Sequence, residues 1–63
     1  MRKEYKVTVY YTDKNNEQKI VVHKLWTWHE ENTSEIAKTH EILERSYNKD
    51  VCKIVGVSVQ RIG

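Results

Sequence analysis

The sequence predicts a small α+β domain in which a β-hairpin is followed by one helix and a last strand, in the order ββαβ. Three observations predict it. Apolar and polar residues alternate over 5–12, turn residues cluster at 13–17, and an amphipathic helical pattern over 33–48 precedes a valine-rich stretch. We expect one domain over 1–63, with a three-stranded antiparallel sheet in the order 2-1-3 and the helix on one face.

The first strand is expected at about 4–12, and the turn follows directly at 13–17. Asn15 and Asn16 are predicted to be the two central residues of a tight hairpin turn, because asparagine tolerates the positive φ that such a turn requires.

The second strand is expected at about 18–28, where β-branched and aromatic residues are frequent. The two-residue turn gives three like-with-like pairs: Tyr11 with Ile20, Val9 with Val22, and Tyr5 with Trp26. Val7 would then face Lys24, which fits poorly. Two explanations remain open: a bulge near residues 23–25, which the slip in alternation favours, or a Lys24 at the sheet margin with its stem over apolar surface.

The helix is expected at about 33–48. Asn32 and Glu35 have the spacing of a capping box, in which each side chain accepts the other's backbone N–H. A helical wheel places one stripe toward the sheet, composed of Ile36, His40, Leu43 and Tyr47. Asn48 is predicted to end the helix in the left-handed conformation.

The third strand is expected at about 51–61. Its helix-facing residues would be Val51, Val55, Val57 and Val59. Its outward residues would be Cys52, Ile54, Gly56, Ser58 and Gln60.

One helix covers only one face of a three-stranded sheet, so the other face is predicted to be uncovered and partly apolar. Apolar patches larger than a few hundred Å² mark interfaces. We therefore predict a protein partner, a homodimer contact, or both, at this face and at the strand edges. The predicted partner-binding residues are Tyr10, Val21, His23, Leu25, Trp28 and Ile54. At least one of Trp26 and Trp28 is expected to close the core, with Trp28 the more exposed.

A nucleic-acid-binding module is the alternative function. Its residues would be Lys6, Tyr10, Lys53 and Arg61, on a sheet face where single-stranded bases could stack. The formal charge is only +2, from 11 basic and 9 acidic residues, and no ribonucleoprotein motif is present. The sequence therefore ranks this function second.

The sequence offers little material for catalysis, cofactors or metals. His23, His29 and His40 fall on different predicted elements, without the paired spacing of zinc ligands. Two glycines allow no phosphate-binding loop or dinucleotide motif. Cys52 is the only cysteine, so no intramolecular disulfide can form. We expect a protein without enzymatic activity, cofactor or metal.

The chain begins with charged residues and has no apolar signal segment or membrane span, which favours a cytoplasmic location. Domains this small often gain stability by association, which favours a homodimer. Proline is absent and lysine outnumbers arginine, as is typical of AT-rich genomes. An accessory or inhibitory factor of a phage or mobile element would suit this size and composition.

Overall fold

A computed structural model describes residues 2–63 and has the predicted ββαβ architecture. Its elements are β1 (Lys3–Asp13), β2 (Gln18–Thr27), α1 (Thr33–Tyr47) and β3 (Val51–Arg61). The strands form one antiparallel sheet in the order β2-β1-β3, and α1 packs on one face, against β1 and β3. The predicted fold class and strand order are confirmed. Over residues 2–63, no helix has the length and apolar character that crossing a membrane requires.

The hairpin loop is one residue longer than the sequence predicted. Asp13 and Glu17 close it through a backbone hydrogen bond of 2.8 Å, which leaves three loop residues, 14–16. Asn16 has the positive φ, 64°, that often ends a three-residue hairpin loop. The Asp13 carboxylate holds this loop by accepting from the backbone N–H groups of Asn15 and Glu17, each at 2.9 Å.

The longer loop shifts the β1–β2 register by one residue, so that Val9 pairs with Val21 and Lys6 with Lys24. A shift of one residue moves every side chain of a strand to the opposite face. The predicted placement of Val21, His23 and Leu25 on the uncovered face is therefore wrong. They lie on the helix side, where Val21 and Leu25 pack against the core. The β1–β2 pairing is also continuous, so the expected bulge near residues 23–25 is absent.

β3 contains the irregularities instead. Its pairing with β1 shifts between Tyr10 and Tyr11 and again between Thr12 and Asp13. The first shift places Ile54 opposite Tyr11, on the helix side, and leaves Val55 as the extra residue. The predicted faces of Ile54 and Val55 are thus exchanged, because a bulge reverses the alternation beyond it. Ile54 packs against the core, and Val55 is 59% exposed.

The core lies between the helix and the middle strand. Tyr5, Val7 and Val9 of β1 are almost fully buried, and Ile36 of α1 covers them. The Tyr5 hydroxyl accepts a hydrogen bond of 3.0 Å from the backbone N–H of Glu31, just before the helix. Tyr5 therefore closes the end of the core that the sequence assigned to a tryptophan.

The predicted helix stripe is correct at Ile36, which is buried, and at His40, which is partly buried, but wrong in the second half of the helix. Leu43 is 42% exposed and Tyr47 79% exposed, whereas Glu44 turns inward to His23 of β2. The hydrogen bond between Glu44 and His23 connects this part of the helix to β2.

Both helix ends also differ in detail from the prediction. At the first, the Asn32 side chain accepts from the Ser34 backbone N–H at 2.9 Å. At the second, Asn48 is extended rather than left-handed, with φ −89°, and its backbone N–H donates to the Glu44 carbonyl.

Candidate functional site

The face of the sheet opposite the helix, called the open face below, is the candidate site. Nothing in residues 2–63 packs over it, because α1 lies on the other side. The register fixes its members, which alternate with the core residues along each strand. They are Glu4, Lys6, Thr8, Tyr10 and Thr12 of β1; Gln18, Ile20, Val22, Lys24 and Trp26 of β2; and Lys53, Val55, Gly56, Ser58 and Gln60 of β3.

The apolar part of the open face follows β2, an edge strand. Ile20 is 61%, Val22 44% and Trp26 51% exposed. Tyr10 pairs with Ile20 and, with Val55, joins it around a shallow depression of about 360 Å³. Lys24 interrupts the row between Val22 and Trp26. Exposed apolar side chains grouped at a sheet edge are a feature of surfaces that contact other proteins.

An aromatic pair stands at one end of this strip. The rings of Trp26 and Trp28 meet edge to face, with centroids 5.2 Å apart. The Arg2 guanidinium lies 5.6 Å from the centre of the Trp26 ring, over its face. Both tryptophans are exposed, so the expectation that one of them closes the core is wrong, while the expected exposure of Trp28 holds. Tryptophan and arginine are both enriched at binding hot spots.

The charge on the open face is positive. Lys6 and Lys24 stand directly opposite each other on neighbouring strands. Neither takes part in a salt bridge within residues 2–63. Glu4, nearby on β1, is already paired with Arg2 at 2.8 Å. The face therefore combines an apolar strip with an uncompensated pair of cations.

The two edges of the sheet differ in how well they could accept another strand. β3 is interrupted twice by irregular pairing, and bulges are a common way to blunt an edge. β2 pairs with β1 without interruption over its ten residues and has apolar side chains on both faces. An added strand would therefore find the better template on β2.

A polar cluster lies on the other face, between α1 and β2. His23 Nε2 is 2.6 Å from Glu44 Oε1, and the His23 and His40 ring centres are 5.5 Å apart. Burial lowers the pKa of His40, and the neighbouring His23 ring lowers it further. Burial raises the pKa of Glu44, but hydrogen bonds from Asn48 and His23 outweigh this effect and leave it below its ordinary value. The cluster ties the helix to the edge strand.

Metal ligands do not converge in the described part of the chain: no group of three or more His, Cys, Asp or Glu side chains is arranged to hold an ion.

The structure places the predicted site residues on two sides of the sheet. Tyr10 and Trp28 are exposed at or beside the open face, whereas Val21, His23, Leu25 and Ile54 are on the helix side. Of the residues predicted for nucleic acid, Lys6, Tyr10 and Lys53 share the open face. Arg61 does not, because it pairs with Tyr5 on the helix side and forms a 3.0 Å salt bridge with Glu30.

The sequence prediction missed Ile20, Val22 and Trp26 as surface residues. The signal that could have found them is Asp13, whose short side chain can accept backbone N–H groups in the loop that follows it. A three-residue loop after Asp13 would have given the observed register.

Comparison with protein-family models, curated proteins and solved structures gives no significant match for this chain.

Proposed function

We propose that this protein acts by binding another protein through the open face and the β2 edge, not by catalysis. The observation that carries the proposal is the row of exposed apolar side chains on β2, formed by Ile20, Val22 and Trp26. A small domain gains no folding stability by leaving three large apolar residues in water, so contact with a partner accounts for them best.

The composition of this surface also favours a protein over a small molecule. The depression beside Tyr10 is shallow and open to solvent, and it is lined by residues of the three strands. Small-molecule sites are concave and enclose most of their ligand. A flat strip with a tryptophan at its end instead fits a partner that lays its own apolar side chains along β2.

Photo-crosslinking tests the proposal directly. With p-benzoyl-phenylalanine in place of Val22, light should link the protein to a discrete partner in cells that express it. The same residue in place of Ile42, which is 59% exposed on the helix, is the matched control and should give no such product. Equal products at both positions, or none at Val22, would contradict docking at the open face.

A second variant separates docking from folding. A Cβ atom added at Gly56 would meet nothing within 4 Å, so a side chain there extends over the open face without disturbing the sheet. Gly56→Glu should remove the Val22 crosslink and leave the circular dichroism spectrum unchanged. A crosslink that survives this change would contradict docking over the whole open face and would confine the contact to β2.

Nucleic-acid binding is the second candidate, because Lys6, Tyr10 and Lys53 do share one face and Lys24 joins them. Against it, Tyr10 and Trp26 are six residues apart along β1, since Trp26 pairs with Glu4. That separation is about 20 Å, too far for successive bases to stack on both rings. Salt-sensitive binding of labelled oligothymidylate that is lost on Lys6→Ala with Lys53→Ala would favour this candidate.

We also propose that the protein acts in the cytoplasm as an accessory or inhibitory factor of a phage or mobile element, and that it forms a homodimer. Small size supports the dimer, since such domains are commonly stabilised by association. Sedimentation equilibrium of the pure chain measures it, and a monomer at high concentration would remove the dimer from the proposal.

A further inference from the structure

We propose that the partner is an acidic polypeptide segment that adds as a strand to the edge of β2 and places a carboxylate at Lys24 and Lys6. This inference rests on the proposed function and specifies the partner's chemistry.

The like-charge pair is the first step. Lys6 and Lys24 are direct cross-strand partners on the open face. Such partners have Cβ atoms about 5 Å apart, and like charges at this position destabilise a sheet. Neither ammonium is neutralised by a carboxylate within residues 2–63. A bound anion would relieve the repulsion that the free protein carries.

The edge of β2 gives the geometry of the contact. A strand added beside β2 would lie about 10 Å from β1, since strands are spaced by about 4.8 Å. A lysine and a glutamate side chain together span that distance. A carboxylate opposite Lys24 would therefore be within reach of Lys6 as well.

The residues around Lys24 define the rest of the pattern. Ile20 and Val22 precede it on the same face of β2, and Trp26 follows it. A segment added to β2 would thus alternate, with apolar residues opposite these three and an acidic residue between them. Such a segment, with one acidic residue among apolar residues on the same face, complements the exposed face of β2.

The chain's own carboxylates are poorly placed for this role. Glu4, which lies on the open face beside Trp26, is paired with Arg2 at 2.8 Å. The β2 strand itself has no aspartate or glutamate, so β2 of a second copy would bring no carboxylate to Lys24. A different polypeptide, rather than a second copy of this chain, is therefore the occupant that charge complementarity favours.

The test is a charge-swap titration followed by NMR of the backbone amides of the intact protein. One probe is a strand-length peptide that alternates threonine with valine and carries glutamate at the position opposite Lys24. The second probe has lysine in place of that glutamate. The glutamate peptide should bind about tenfold more tightly to the wild type, and Lys24→Glu should reverse the preference. Binding of the glutamate peptide to the wild type should change the chemical shifts of the backbone amides of Gln18–Thr27 and slow their hydrogen exchange.

Four results would overturn this inference: no binding of either peptide, equal binding of both, shifts confined to β3, or displacement of the glutamate peptide by oligothymidylate. Concentration-dependent shifts of β2 without any peptide would assign the edge to a second copy of the chain and overturn it too. If the Val22 crosslink forms but Lys24→Glu does not reverse the preference between the two peptides, protein docking is retained and only the acidic strand is rejected. Absence of both the Val22 crosslink and the charge preference would reject protein docking as well as the acidic strand.

A measurement without any ligand checks the like-charge argument by itself. Lys24→Thr should raise the thermal unfolding midpoint of the free protein, because it removes the repulsion from Lys6. Lys14→Thr, in the exposed loop, is the matched control and should leave the midpoint unchanged. An unchanged or lower midpoint for Lys24→Thr would contradict the inference.

Discussion

The two faces of the sheet are made by the same three strands but have different roles. On the covered face, Val7 and Val9 are completely buried under Ile36. On the open face, Ile20 and Val22 are exposed, although they alternate along β2 with residues that pack against the core. The contrast indicates that the covered face provides most of the folding stability. The open face can therefore carry apolar side chains that serve binding.

The largest difference between the faces should appear on truncating a valine on each. Val9→Ala should cost about 2 kcal/mol of unfolding free energy, because it leaves a cavity in the core. Val22→Ala should cost less than about 0.5 kcal/mol, because Val22 is half-exposed. Urea unfolding followed by circular dichroism measures both. Equal costs would break the distinction between the faces.

A smaller difference in unfolding free energy should appear between variants of two tyrosines on opposite faces of β1. Tyr5→Phe removes the acceptor of the Glu31 N–H and should cost about 1 kcal/mol. Tyr10→Phe removes only an exposed hydroxyl and should be close to neutral. Thermal unfolding of the two variants decides the matter, and a neutral Tyr5→Phe would show that this hydrogen bond contributes nothing to closing the core.

The smallest effect concerns pH and the cluster under the helix. The pKa of His40 is below its ordinary value of 6.5, so the unfolded chain binds a proton more readily than the folded one. Stability should therefore fall as the pH drops below about 6.5. The groups that face His40 are His23, which opposes its protonation, and Glu44, which favours it. Glu44, also with a lowered pKa, should add a further loss only below its ordinary value of 4.5.

Comparison of variants isolates this effect. His40→Gln should flatten the decline of the unfolding midpoint between pH 7 and about 5, and the exposed His29→Gln should not. A decline that is the same in both variants would assign the pH dependence to other groups.

The elements of the fold could be predicted from the sequence because each has a local signal. The alternation of β1, the turn cluster and the helical pattern lie within short windows, and the element bounds differ from those expected by at most one residue. The strand order followed from connection rules that do not depend on side-chain detail. The predicted antiparallel 2-1-3 sheet is the observed one.

The candidate site could be predicted only in kind, as an apolar open face, because its membership depends on register. A loop of three residues rather than two reversed the side chains of β2, and one irregularity in β3 exchanged Ile54 and Val55. The loop length depends on the hydrogen bonds that the Asp13 carboxylate accepts from Asn15 and Glu17, and residue alternation alone does not report them. Tyr10 was placed correctly because it lies on β1, whose alternation is unbroken.

Asp13 also bears on the order in which the molecule assembles. Its contacts, with Asn15, Glu17 and Lys19, all lie within six residues of chain. Closing so short a segment costs little chain entropy, whereas β3 must return across the whole helix to reach β1. We therefore expect the hairpin to form first and to guide the later elements into place. The strand that we assign to partner binding would then be available before the rest of the domain has finished folding.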